Sequence, residues 1–174
     1  RGAGKSHQAG FLQRLRSSFY ADWVFDDHVF IDLPTLVRFI REKTGRRRFH
    51  WVGHSLGGSL LYAAVGTLGN QICASGVTLG AAMSSEAKPG IIRLLLKLDP
   101  LYKRMPILPT KWMLRTLAPT SRWLAPLEDN FYYAIDNIDF ETVETAMRCA
   151  IENISPKLFL QLHGWYKNNH FYSK

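Results

Sequence analysis

The stretch Phe49-His50-Trp51-Val52-Gly53-His54-Ser55-Leu56-Gly57-Gly58-Ser59-Leu60-Leu61-Tyr62-Ala63-Ala64-Val65 reads as strand, sharp turn and helix. Phe49 to Val52 is the strand, and Gly53-His54-Ser55-Leu56-Gly57 is a G-x-S-x-G pattern. In such a nucleophile elbow the serine occupies a strained turn, and the glycines two residues to either side let strand and helix approach without Cβ clashes. The pattern predicts a Ser55 hydroxyl that points into solvent. It also predicts a helix opening at Leu56 that aims unsatisfied N–H groups and its positive end at the place where an oxyanion develops in acyl transfer. A turn of Gly and Ser also joins strands to helices without chemistry; the strand before it and the helix after it favour the nucleophile here. His54 reads as a turn or wall residue. Adjacent side chains on a tight turn diverge, and a general base has to reach Ser55 Oγ from another loop.

With 174 residues and 47% hydrophobic content, the chain can bury one sizeable core. It opens at Arg1 without an initiator methionine or a signal-peptide pattern, so a missing N-terminus is expected. No run approaches the roughly 20 apolar residues that cross a bilayer. Cys73 and Cys149 are too few and too far apart for a metal spacing or a disulfide framework, and read as free thiols. Lys and Arg number 22 against 14 Asp and Glu, a net charge of +8 that favours anionic surfaces such as phospholipid headgroups or nucleic acid. No nucleic-acid fold signature, repeat or low-complexity tract is present, so no nucleic-acid partner is expected.

Arg1-Gly2-Ala3-Gly4-Lys5-Ser6 ends like a phosphate-binding G-K-S loop, but the first glycine and the preceding strand are missing, and the segment reads as an ordinary loop. From Asp32, the residues Leu33, Leu36, Val37 and Ile40 recur at helical spacing, with Pro34 in the first turn and Gly45 beyond the end. Arg46-Arg47-Arg48 is a basic hinge. Gly69-Asn70 turns the chain after the elbow helix, and Ala74 to Ala82 reads as a second short buried strand. Helix, strand, helix, strand implies a parallel α/β sheet flanked by helices. Beyond Met83, prolines punctuate short apolar segments. Between Lys88 and Leu124, eight cations interleave with Trp112, Met113, Trp123 and aliphatic residues against the single acid Asp99. That suits a helical cap whose basic, aromatic face meets lipid headgroups or an acyl chain, although apolar residues at this spacing more often just pack on the protein body.

Four segments together resemble the α/β-hydrolase fold, lipase and esterase branch, including the acid lipases. These are the R-G-x-G-x-S-like Arg1 to Ser6, Trp23-Val24-Phe25-Asp26-Asp27, Asp32-Leu33-Pro34 and the elbow. The chain departs from the acid lipases at Leu56-Gly57-Gly58, where Gln-Gly-Thr is usual. The resemblance implies a partial hydrolase core over residues 1–82 and a mainly helical cap or lid over 83–174. It implies Ser55 as nucleophile, the Leu56 backbone N–H as one oxyanion donor, and Gly53, His54 and Gly57 as the residues that shape the elbow. The family order places an acid and then a histidine after later strands. Neither strand is visible before Lys174, so a truncated chain is expected, with these two triad members outside it. Asp99, Asp129, Asp136, Asp139, His163 and His170 read as surface or cap residues.

The reading that follows is a serine hydrolase of carboxylic esters with lipid-like or otherwise apolar acyl groups, needing no metal or organic cofactor. Its partners would be a small ester or lipid substrate and, peripherally, an anionic membrane. The rival readings are an acyltransferase working through the same acyl-enzyme and a non-catalytic hydrolase-like binding protein.

Overall fold

The computed structural model describes residues 23–81, 108–123, 135–168 and 171. Arg1 to Ser6, Asp99, Asp129 and His170 lie outside them. The described residues group into two units by contact. One holds Trp23, 108–123 and 135–163; the other holds 24–81, 164–168 and 171.

In the second unit, strand β1 (Phe49–His54) feeds through Ser55 into helix α2 (Leu56–Leu68). Gly69, at φ 82°, reverses the chain into a 3₁₀ turn (Asn70–Ile72), and strand β2 (Cys73–Leu79) returns parallel to β1. From His50↔Ser75 to His54↔Leu79 the pairing is regular, with one irregularity beside Phe49. The period-2 alternation of β1 turns Trp51 and Gly53 toward α2 and leaves His50, Val52 and His54 on the other face. Gly76 of β2 lies beneath Leu61, and Thr78 Oγ1 shares a 2.8 Å hydrogen bond with Tyr62 Oη.

The second strand differs from its sequence expectation. It ends at Leu79 rather than Ala82, and most of it is exposed rather than buried. Helices cover one face of the sheet, while Val77 and Leu79 stand half exposed beside Val52, which is 71% exposed. A hydrophobic run fits a strand covered on both faces, but run length says nothing about how many faces are covered.

Helix α1 (Leu33–Thr44) ends at Gly45 in the left-handed region, at φ 67°, as Gly45 predicts. Its start does not follow the expected acidic opening at Asp32. The helix is entered eight residues earlier through a helical turn, Phe25–Asp27, and a π-helical turn, His28–Asp32. Asp27 Oδ2 accepts the Val24 N–H at 2.8 Å at the true start. Pro34 therefore sits inside a continuous helical path, where its ring would strike a carbonyl one turn back and it has no N–H to donate. The wider π turn just before it absorbs both problems: the Leu33 N–H reaches back to the His28 carbonyl. Leu33, Val37, Ala64 and Ile72 form the buried core of this unit, with Phe49, Trp51 and Cys73 against it.

In the first unit, helix α3 (Thr110–Leu117) is followed by a 3₁₀ turn (Ala118–Thr120) and helix α4 (Phe140–Cys149) by helix α5 (Pro156–Asn168). Ala118, Val143 and Met147 make the core, flanked by Leu114 and Ile138. Ser155 precedes Pro156 at the N-cap of α5 and is fully buried; its hydroxyl donates to the Trp23 carbonyl at 2.6 Å. The residues of α5 beyond His163 pack in the other unit, where Trp165 meets Phe25 edge-on at 4.8 Å and Phe171 at 4.4 Å. Among the described residues no helix is long and apolar enough to cross a membrane.

Asp139 caps α4, its carboxylate accepting the Thr142 N–H at 2.7 Å and the Thr142 hydroxyl at 2.9 Å. The backbone bond from Thr142, and then the hydroxyl bond, hold its pKa below the ordinary aspartate value. A depressed folded pKa stabilises above the unfolded pKa of about 3.9 and loses that stabilisation as pH falls through the lower folded value. Asp139→Ala is expected to lower the melting temperature at neutral pH, and the gap to the parent should close below pH ~3. A gap independent of pH would show that the cap is not acting through its charge.

Candidate active site

The decisive residue is Ser55. Among the described residues it is the only non-glycine with a positive φ, at φ 50° and ψ −118°. That conformation lies outside even the left-handed helical well, and a residue held there costs about 1–3 kcal/mol. Three hydrogen bonds hold it: its N–H donates to the Leu79 carbonyl at 2.8 Å, and its carbonyl accepts from Gly58 at 3.0 Å and Ser59 at 3.1 Å. The parallel neighbour β2 thus pins the turn from one side and the first turn of α2 from the other. The Trp51 indole adds a bond to the Gly57 carbonyl at 3.2 Å. Ser55 is exposed, and among the described residues its Oγ has no hydrogen-bond partner.

The glycines divide the work differently from the expectation. Gly53 behaves as predicted: a Cβ there would stand 2.6 Å from Gly58 N and collide with the Gly57 carbonyl. Gly57 has open space among the described residues, and Gly58, just outside the pentapeptide, takes its place. A Cβ on Gly58 would strike the Ala81 side chain and come 3.1 Å from Thr78 Cβ. Gly58 is what lets α2 lie close on the end of β2. Gly58→Ala is therefore expected to cost about 2 kcal/mol or more, and Gly57→Ala less than about 1 kcal/mol, in urea unfolding. Equal costs at the two positions would contradict this division.

Leu56 and Gly57 open α2 ahead of its first i→i−4 bond, which Ser59 makes to Ser55. Their N–H groups belong to the unsatisfied positive end of a 13-residue helix, beside Ser55. His54 is exposed, on the open sheet face next to Gly80. No histidine or carboxylate among the described residues hydrogen-bonds Ser55 Oγ. Of the residues read as surface or cap, Asp136 and Asp139 are exposed, the latter spent as a helix cap, and His163 is buried against Phe159. Among the described residues no group of three or more His, Cys, Asp or Glu side chains is assembled that could hold a metal ion.

A cavity of about 260 Å³ lies beside α2, lined chiefly by Phe25, Val29, Phe30, Tyr62, Trp165 and Phe171, with Ser59 also in its wall. Sequence reading missed it, since Trp165 and Phe171 are more than a hundred residues from Tyr62 and carry no local signal.

A strained, exposed serine between a parallel strand and a helix N-terminus agrees with the comparison to protein families, in which the model for the alpha/beta hydrolase fold matches residues 1–134. The chain belongs to the α/β-hydrolase fold family. Human lipase member K is similar to this hydrolase-fold chain, 43% identical over 47 residues. Those residues are 26% of this chain and 12% of the lipase, so the chain matches a small part of that relative's length. Family and likeness together support the lipase and esterase branch of that fold.

Proposed function

We propose that this protein hydrolyses carboxylic esters through an acyl-enzyme on Ser55. The strained backbone of Ser55 carries the reading: a φ of 50° at a non-glycine residue is retained only where surrounding structure enforces it, and such outliers cluster at reacting groups. Ser55 Oγ attacks the ester carbonyl and gives its proton to a base from another loop. The carbonyl oxygen becomes an oxyanion in reach of the Leu56 N–H, and its collapse expels the alcohol, which takes the proton back from that base and leaves the base free. Water then attacks the acyl-serine with the same base, releasing the acid and restoring the hydroxyl.

Apolar acyl groups are favoured by the ring-lined cavity, whose lining residue Ser59 is four positions from Ser55, about 6 Å along the axis. At about 260 Å³ it lies just under the range of whole-ligand pockets, about 300–1,000 Å³, and suits part of a chain or a ring. The test is covalent labelling of the full-length protein by a fluorophosphonate, with the adduct mapped by peptide mass. Label on Ser55 that competes with a medium-chain ester supports the reading; label elsewhere, or none in a folded protein, removes it. Acyl transfer to an added alcohol in place of water would point to the acyltransferase variant of the same chemistry.

A further inference from the structure

The run Leu108 to Trp123 has two distinct sides. Leu108, Ala118 and Ser121 are buried, and Leu114 and Ala118 pack on Val143 and Met147. Trp112, Met113, Leu117 and Trp123 face outward instead, with Trp112 67% exposed and Trp123 84%. The inward stripe is filled by other residues, so these four lie outside that core and are apolar side chains left open to solvent. Tryptophan carries among the largest apolar areas of any side chain and is seldom this open. Trp112 lies in α3 and Trp123 just beyond the 3₁₀ turn that follows it.

The charges on this run are one-sided. It holds Lys111, Arg115 and Arg122 and no acid. The Lys111 ammonium is occupied by Glu152, at 2.7 and 2.9 Å. The two arginines differ. Arg115 Nε donates to the Arg148 backbone carbonyl, and the Arg122 guanidinium lies 5.2 Å over the Phe140 ring. A carbonyl and a ring position a guanidinium without neutralising it. Among the described residues neither arginine has an ion-pair partner, and both are exposed on the same run as the outward apolar residues, in a chain of net charge +8.

We propose that this face docks on an anionic phospholipid surface, with Trp112 and Trp123 at headgroup depth and Arg115 and Arg122 on lipid phosphates. Indole suits that depth because its body is apolar and its N–H is a donor. A second copy of the chain is a poorer occupant: a self-complementary contact would bring the arginines of both copies together.

The test is sedimentation of the full-length protein with vesicles of phosphatidylcholine and phosphatidylglycerol, roughly 3:1, against phosphatidylcholine alone. Binding to the mixed vesicles is expected, with a blue shift in tryptophan emission, and it should fall as salt rises from about 0.05 to 0.5 M. Trp112→Ala with Trp123→Ala should weaken it roughly tenfold or more. Arg115→Gln and Arg122→Gln should each weaken it roughly fivefold, while Arg122→Lys keeps it. All these side chains are exposed, so circular dichroism should show an unchanged fold. Equal binding to neutral vesicles, or binding indifferent to the tryptophan pair, overturns the proposal. So does a dimer that the tryptophan changes dissociate without any vesicle binding. Ser55→Ala should bind vesicles as the parent does, so the membrane surface and the esterase chemistry fail or stand separately.

Discussion

Ser55→Ala in the full-length protein is expected to lower ester turnover by at least about 10⁴-fold, read with a medium-chain p-nitrophenyl ester. The size follows from removing the group that forms the covalent bond; the Leu56 N–H and the cavity would remain and supply only residual rate. Stability offers a second reading of the same residue. Alanine keeps the Cβ that disfavours φ 50° and ψ −118°, whereas glycine adopts such angles freely. Ser55→Gly should therefore be as inactive as Ser55→Ala yet more stable by about 1 kcal/mol, from relief of strain. Turnover that survives either change would sink the serine mechanism. Inactivity of both variants without the stability difference would leave the nucleophile standing and remove the claim that the turn is strained.

The largest effect on folding is expected at Gly53. Its missing Cβ leaves room for the Gly57 carbonyl and for Gly58 N, which would stand 2.6 Å from an added carbon. These are backbone atoms at the start of a helix and cannot swing aside as a side chain end does. Gly53→Ala is expected to cost about 3 kcal/mol or more and to displace the elbow, so that fluorophosphonate labelling of Ser55 falls as well. The measurement is a urea midpoint beside that of Gly57→Ala, a neighbour of the same size change without the collision. A Gly53→Ala midpoint at the parent value would show that the elbow can relax and that its geometry is not held by this close approach.

Much of this was readable in order along the chain. A strand then a Gly-rich turn then a helix is a local pattern, and the parallel return of β2 follows from the helix that separates the strands. Gly45 and Gly69 mark their turns because positive φ is a local demand that glycine meets at no steric cost. Other features had no local signature. The helical path beginning at Phe25 conflicts with the proline at position 34, and only the π turn resolves the conflict. The open face of β2 depends on what covers it, and the cavity depends on Phe25, Tyr62 and Trp165 meeting in space.

By itself the sequence determined the order of elements, the place of the elbow and the serine at its tip, because spacing, turn residues and glycine conformations act over a few bonds. Tertiary structure alone decided which glycine is crowded, since Gly58 meets Thr78 and Ala81 across the sheet while Gly57 meets open space. It alone decided how Ser55 is held, through the Leu79 carbonyl at the end of the neighbouring strand. Contacts between residues twenty or more positions apart are set by how the elements pack, and periodicity along one element carries no record of them.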